Sequence, residues 1–138
     1  MRIEFTVAGP PKGKQRPRMT KAGHTYTPQQ TVVYENLVKV MYRSQVGSKQ
    51  LEGAIKAEIT GYFPIPKSVS KKKRAEMIDG KIEYTHKIDC DNLAKTILDA
   101  LNQIAYHDDA QVTQLYVNKR YAEEPRVEVA LTELEAEQ

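Results

Sequence analysis

Residues 88–111 read IDCDNLAKTILDALNQIAYHDDAQ. Leu93, Ile97, Leu98, Leu101 and Ile104 recur at helical spacing, which predicts a helix over about residues 92–105. Asp91, Lys95 and Asp99 follow one another at four-residue intervals and line up on an edge beside that apolar arc, facing solvent or a ligand. The stretch opens on Asp89-Cys90-Asp91 and closes on Asp108-Asp109, so five carboxylates surround a single lysine.

Outward from this stretch the pattern alternates between periods. Ile3, Phe5 and Val7 alternate with polar residues and predict a first strand over 2–8. Thr27 as N-cap, Pro28 at the first helical position and Gln30 three residues after the cap open a helix that Gly47 stops. Val33, Leu37, Val40 and Met41 are its expected apolar stripe. Ile55, Ala57, Ile59 and Phe63 give a second strand ended by Pro64 and Pro66, and Ser70 caps a short helix through Asp79, closed by Gly80. After the long helix, residues 112–121 and 126–131 read as a hairpin turning at 122–125. The resulting order, β-α-β-(α)-α-β-β, predicts an α+β fold with a mixed four-stranded sheet covered by helices on one face.

A chain of 138 residues suits one domain. We assign residues 1–132 to it and 133–138 to an acidic tail. No apolar run reaches the length of a membrane span, and Met1 leads into a strand-like pattern rather than a signal peptide. The lone Cys90 leaves no intrachain disulfide, in keeping with a cytosolic setting. The net charge of +3 hides a segregation: residues 123–138 hold six Glu against one Arg, leaving the remainder at +8. Residues 5–34 contain no acid yet carry Lys12, Lys14, Arg16, Arg18 and Lys21, with Tyr26 available for stacking, and Lys71, Lys72, Lys73 and Arg74 form a second cluster. Such clusters suit a polyanion partner, because each cation that meets a phosphate releases a condensed counterion. The plainer reading of a charge run is a solvated face.

The acids also have structural explanations. Asp89 or Asp91 could cap the helix, Asp108 and Asp109 could serve a turn, and Asp99 could pair with Lys95. Together they are harder to dismiss. Two carboxylates about 4 Å apart repel by roughly 4 kcal/mol at an effective dielectric near 20, so convergence calls for a proton or a hard cation, Mg²⁺ or Mn²⁺. Carboxylate-held Mg²⁺ beside a phosphate-seeking surface can polarise a phosphodiester and lower the pKa of an attacking water, with Lys95 opposing charge that builds in the transition state. His24, His86 and His107 lack zinc-ligand spacing, and no glycine-rich nucleotide loop is present.

The composite of Asp89-Cys90-Asp91-Asn92, Lys95, Asp99 and the Asp108-Asp109 pair entering a strand resembles the core motif of the RusA-type Holliday-junction resolvases. KGKQRPRMTKAGHTYTP near the N-terminus and the YTHKIDCDN approach resemble the phage and prophage branch. The likeness spans about residues 1–132. It implies a homodimeric, Mg²⁺-dependent crossover junction endodeoxyribonuclease that acts on branched DNA in recombination and repair. Asp89, Asp91 and Asp109 match its metal-binding carboxylates, Lys95 its essential lysine, and Asp99 and Asp108 acidic positions of less defined role. Ile88 and Cys90 depart from the usual pattern of Pro and an ordinary apolar residue. The alternative from another class is a non-catalytic nucleic-acid-binding module that uses the basic loop alone.

Geometry adds an expectation of its own. A helix over 92–105 is about 21 Å long, and four further residues reach at most about 14 Å, so Asp109 returns to Asp91 within one chain only awkwardly. Antiparallel packing of two such helices in a two-fold dimer would let each site take Asp89 and Asp91 from one chain and Asp109 from the other.

Overall fold

The computed structural model describes residues 1–14, 18–26 and 28–135, with Arg18 described by its backbone only. In chain order it holds β1 (Arg2–Ala8), a small ribbon of β2 (Arg18–Met19) and β3 (Thr25–Tyr26), and α1 (Gln29–Gln45). Then come β4 (Ile55–Pro64), α2 (Lys71–Ile78), α3 (Cys90–Leu101), β5 (Val112–Ala122) and β6 (Arg126–Glu133). Four strands make one sheet in the order β1-β6-β4-β5. β4 and β5 are parallel, whereas β6 is antiparallel to both β1 and β4. The α+β class and the mixed four-stranded sheet agree with the sequence reading. Among the described residues no helix is long and apolar enough to cross a membrane.

The expected hairpin of the last two strands does not form: β5 and β6 flank β4 and do not pair with each other. The reason lies in β4, whose Ile55, Ala57 and Ile59 are fully buried and whose apolar alternation is the longest in the chain. Central position suits such a strand. The connection from β5 to β6 then crosses two strand spacings, about 10 Å, which three residues can just span. A parallel β4–β5 pair also needs a long crossover, and that crossover carries α2 and α3.

The helices correct the reading in two places. α3 ends at Leu101 rather than near residue 105: Asn102 leaves helical backbone with ψ 128°, and Gln103 takes a positive φ of 65°. The amides of Ile104 and Ala105 both bond back to the Leu101 carbonyl, so Ile104 meets the core from a turn that mimics the helical repeat. In α1 the buried face is Thr31, Tyr34, Val38 and Tyr42, while Val33 and Val40 are 59% and 53% exposed and Leu37 and Met41 only partly covered. Val38 and the rings of Tyr34 and Tyr42 are the part of α1 that enters the core. Tyr42 meets Phe5 edge-on at 5.4 Å, and its hydroxyl donates to the Lys49 carbonyl. Pro28 occupies the N-cap position itself, and Thr27, the expected cap, lies outside the described residues. The second short helix is as expected, with Ser70 Oγ accepting from the Lys73 amide at 3.2 Å.

This core assignment is testable by denaturant unfolding. Ile59→Ala, at the centre of the sheet, is expected to cost about 2–5 kcal/mol. Val33→Ala is expected to change stability by no more than about 0.5 kcal/mol.

Candidate functional site

α3 is built to leave one edge open. Leu93, Ala94, Thr96, Ile97, Ala100 and Leu101 turn inward, whereas Asp91 and Lys95 are exposed on the opposite arc. Asp89 is the N-cap residue, but its side chain accepts no capping hydrogen bond. Among the described residues, neither the Asp89 nor the Asp91 carboxylate makes a hydrogen bond or ion pair, and Lys95 has no acidic partner. Capping therefore does not explain the aspartate pair.

The segment entering this end is anchored by aromatic packing. Tyr84 stacks on Phe63 at 3.9 Å and 12°, meets Tyr121 and His86 edge-on, and donates its hydroxyl to the Lys87 carbonyl at 2.5 Å. From β5, Lys119 reaches under the same segment, with Nζ 2.9 Å from the His86 carbonyl and 5.3 Å from the Tyr84 ring centre. Sequence reasoning missed Lys119. The available signal was its place in the β5 alternation, a lysine on the side shared by Val117 and Tyr121.

A second strap crosses from the basic loop. The Lys14 amide donates to Asn92 Oδ1 at 2.8 Å, and Lys14 Nζ lies 2.7 Å from Asp99 Oδ2 and 3.7 Å from Glu35. Gly13 permits this approach, since a Cβ there would stand 2.7 Å from Asn92 Nδ2 and 2.8 Å from Ile88. Asp99 thus pairs with Lys14, not with Lys95 as its spacing suggested. The hydrogen bond to Asp99 raises the Lys14 pKa above its ordinary value, partly offset by desolvation and helped by the charges of Asp99 and Glu35.

The remaining acids collect at the other end of α3. The Asp109 amide donates to Asn102 Oδ1 at 3.2 Å, which fixes Asp109 beside the helix C-cap. Gln111 holds the short turn there, its Oε1 accepting from the His107 and Asp108 amides and its amide group donating to the Leu51 and Gly53 carbonyls. Hydrogen bonding with Asp108 raises the Asp109 carboxyl above its usual range. Desolvation and the charges of Asp108 and Asp99 add to that, against a weaker opposing contact from the Ala110 backbone. Carboxylates crowded in this way form a donor set suited to a hard divalent cation. Within one protomer, however, no three acidic, His or Cys side chains gather to hold a metal among the described residues. From Asp91 to Asn102 the helix rises about 16 Å, so the two acidic groups stay apart.

Of the proposed DNA contacts, Lys12, Lys21 and Tyr26 are exposed and Lys14 is committed to the strap. Lys71, Lys72 and Lys73 project from the first turn of α2, with Arg74 half-buried behind them. Arg16 lies outside the described residues, as does the Arg18 side chain. The loop expected over 10–26 includes the β2–β3 ribbon, where Arg18 pairs with Tyr26 and Met19 with Thr25.

With this arrangement in view, comparison with known proteins is decisive at the level of family. Residues 8–132 match the family model described as endodeoxyribonuclease RusA, and the chain belongs to that family. It is also 37% identical over 139 residues to YqaN of Bacillus subtilis (strain 168), a protein described as uncharacterized, with 97% of this chain and 98% of that one covered.

The Lys14 strap yields a stability prediction. In a double-mutant cycle with Lys14→Met and Asp99→Asn, the coupling is expected at no more than about 1 kcal/mol, weakened by salt because both groups are partly solvated. Lys14 binds its proton more tightly when folded, so the coupling should be complete below the ordinary lysine pKa and fade as pH rises through the raised one. Urea unfolding at pH 7 and pH 11 would check it.

Proposed function

We propose that this chain is a Mg²⁺-dependent endonuclease that resolves four-way DNA junctions by symmetric phosphodiester cleavage, working as a homodimer in recombination and repair. Family membership supports the nuclease class. The observation that carries the finer reading is the open edge of α3, where, among the described residues, Asp89 and Asp91 carry no structural partner and Lys95 stands one turn on without a counter-ion.

In this reading Asp89 and Asp91 of one chain and Asp109 of the other hold the cation, with Asp108 beside them. A bound Mg²⁺ would supply Lewis-acid polarisation of the scissile phosphate and a more acidic attacking water. Lys95 contributes a fixed positive charge against the phosphate as negative charge builds. The Lys119–Tyr84 anchor keeps the Asp89 segment from shifting, and Asn102 does the same for Asp109. Exposed Lys12, Lys21 and the lysines of α2 supply the duplex-binding charge, together with Arg16 and Arg18. Two such sites related by a two-fold axis match a substrate whose two strands must be nicked symmetrically.

The test is cleavage of an end-labelled four-way junction in Mg²⁺ and in EDTA. Cutting is expected in Mg²⁺ only. Asp91→Asn should abolish it while leaving junction binding intact or tighter, because a charge that repels phosphate is gone. Lys95→Ala should lower the rate by about 10² or more. An Asp91→Asn protein that cuts at the wild-type rate would overturn the assignment. A wild-type protein that binds junctions yet leaves them uncut in Mg²⁺ would favour a non-catalytic binding module.

A further inference from the structure

The basic loop is fastened to the fold on both sides of Lys12. Pro11 is buried, its Cγ 3.4 Å from where a Cβ on Gly61 of β4 would stand. Beyond Lys12, which is exposed, the Lys14 amide donates to Asn92 Oδ1 at 2.8 Å. Gly13 passes so close to the helix that a Cβ there would stand 3.2 Å from Asn92 Cγ and 2.8 Å from Ile88 Cγ2. The ion pair of Lys14 with Asp99 and Glu35 also holds the loop, but through a flexible four-carbon stem. A main-chain hydrogen bond that requires glycine beside it fixes the backbone itself, and it falls on the residue that follows Asp91.

Helix geometry sets where the loop then runs. Asn92 and Asp99 lie within about 20° of one line along α3, while Lys95 and Asp91 lie about 60° and 100° around from Asn92. The strap is therefore a wall beside the edge that Asp91 and Lys95 form. Asn92 is itself tied to the core, since its carbonyl accepts from Oγ1 of buried Thr96 at 2.8 Å. A cleft of about 300 Å³ lies against this contact, lined by Lys12, Gly13, Asn92 and Ile88, the residue before Asp89.

We propose that Asn92 is a positioning residue for strand cleavage: by clamping the Lys14 backbone it sets the phosphate-binding loop in register with Asp91 and Lys95, so that a strand captured by the loop arrives with its scissile phosphate on that edge. The inference rests on the endonuclease reading above and adds a residue to it. Asn92 acts through the main chain of the loop and touches no reacting atom. Reacting atoms misplaced by about 1 Å can lose about 10² in rate, so loss of the clamp falls on the chemical step. Affinity is spared, because the loop keeps its cations and their phosphate contacts.

Two variants break the clamp from opposite sides: Asn92→Leu removes the acceptor, and Gly13→Ala pushes the strap off the helix with Asn92 intact. Junction dissociation constants are measured in EDTA, and single-turnover cleavage at saturating protein in Mg²⁺, with Asn92→Ala in place of Asn92→Leu if circular dichroism shows misfolding. Each variant should cut at least about tenfold more slowly with a dissociation constant within about threefold of wild type. The double variant should be no slower than the slower single one, because both break one contact. A wild-type rate at saturation in either folded variant would overturn the proposal, as would a dissociation constant raised by as much as the rate falls. Losses that multiply in the double variant would also overturn it, placing Asn92 on the phosphate or cation itself. Hydrogen exchange at the Lys14 amide, followed without DNA or metal, should be at least about tenfold faster in the Asn92 variant, and unchanged exchange would refute the clamp. A wild-type protein that leaves junctions uncut in Mg²⁺ would sink the endonuclease reading and this role with it. Normal cutting without the split between rate and affinity would sink this role alone.

Discussion

The parallel pairing of β4 with β5 constrains most of the molecule. Two parallel neighbours cannot be joined by a tight turn, so the chain must leave the sheet, travel back along its length and re-enter. α2 and α3 make that return, and α3, running against the strands it covers, has one end at each end of the sheet. Its apolar arc seals the core. Its other arc is left to solvent, and there Asp91 and Lys95 stand exposed. The packing that makes α3 a good cover also keeps Asp89 and Asp91 from Asp108 and Asp109.

Each acidic group has its own supports, drawn from elements distant in sequence. At the start of α3, a stacked Phe63–Tyr84 pair and the reach of Lys119 fix the entering segment, while the Lys14 amide on Asn92 holds the first turn from the other side. At its end, Asn102 and Gln111 fix the short turn that bears Asp108 and Asp109. None of these supports draws on the carboxylates of Asp89 and Asp91, which make no hydrogen bond or ion pair among the described residues. Asp99 differs: Lys14, crossing from the basic loop, lies 2.7 Å from its carboxylate and ties that loop across the helix.

The sequence exposed the elements whose signals are local. Alternation identified β1 and β4, the Ser70 cap gave α2, and the run from Leu93 to Leu101 gave α3 with its open edge. It failed where tertiary context decides. Tyr34 and Tyr42 carry hydroxyls, which hides them as core residues in an apolar count, yet they are buried with Val38 while Val33 and Val40 are exposed. Ile104 kept the helical period through a turn that is not helix, which hid the true end of α3. The β5–β6 connection has the length of a hairpin loop, and nothing local shows that β4 will insert between its strands. The candidate acids and Lys95 were legible as a motif. Their division between two ends followed from helix length, and it stands although the helix is shorter than expected.

The central claim is that each site draws on two chains, and subunit mixing tests it most directly. Asp91→Asn and Asp109→Asn proteins, each inactive alone, would be combined under conditions where labelled subunits demonstrably exchange, and junction nicking measured in Mg²⁺. If sites are shared, a mixed dimer gathers both lesions in one site and leaves the other whole, so nicking of one strand per junction returns, at up to about half the site number in mixed dimers of a two-fold assembly. If each site lies within one chain, every mixed dimer has two damaged sites. An exchanged mixture that stays inactive would contradict the shared site.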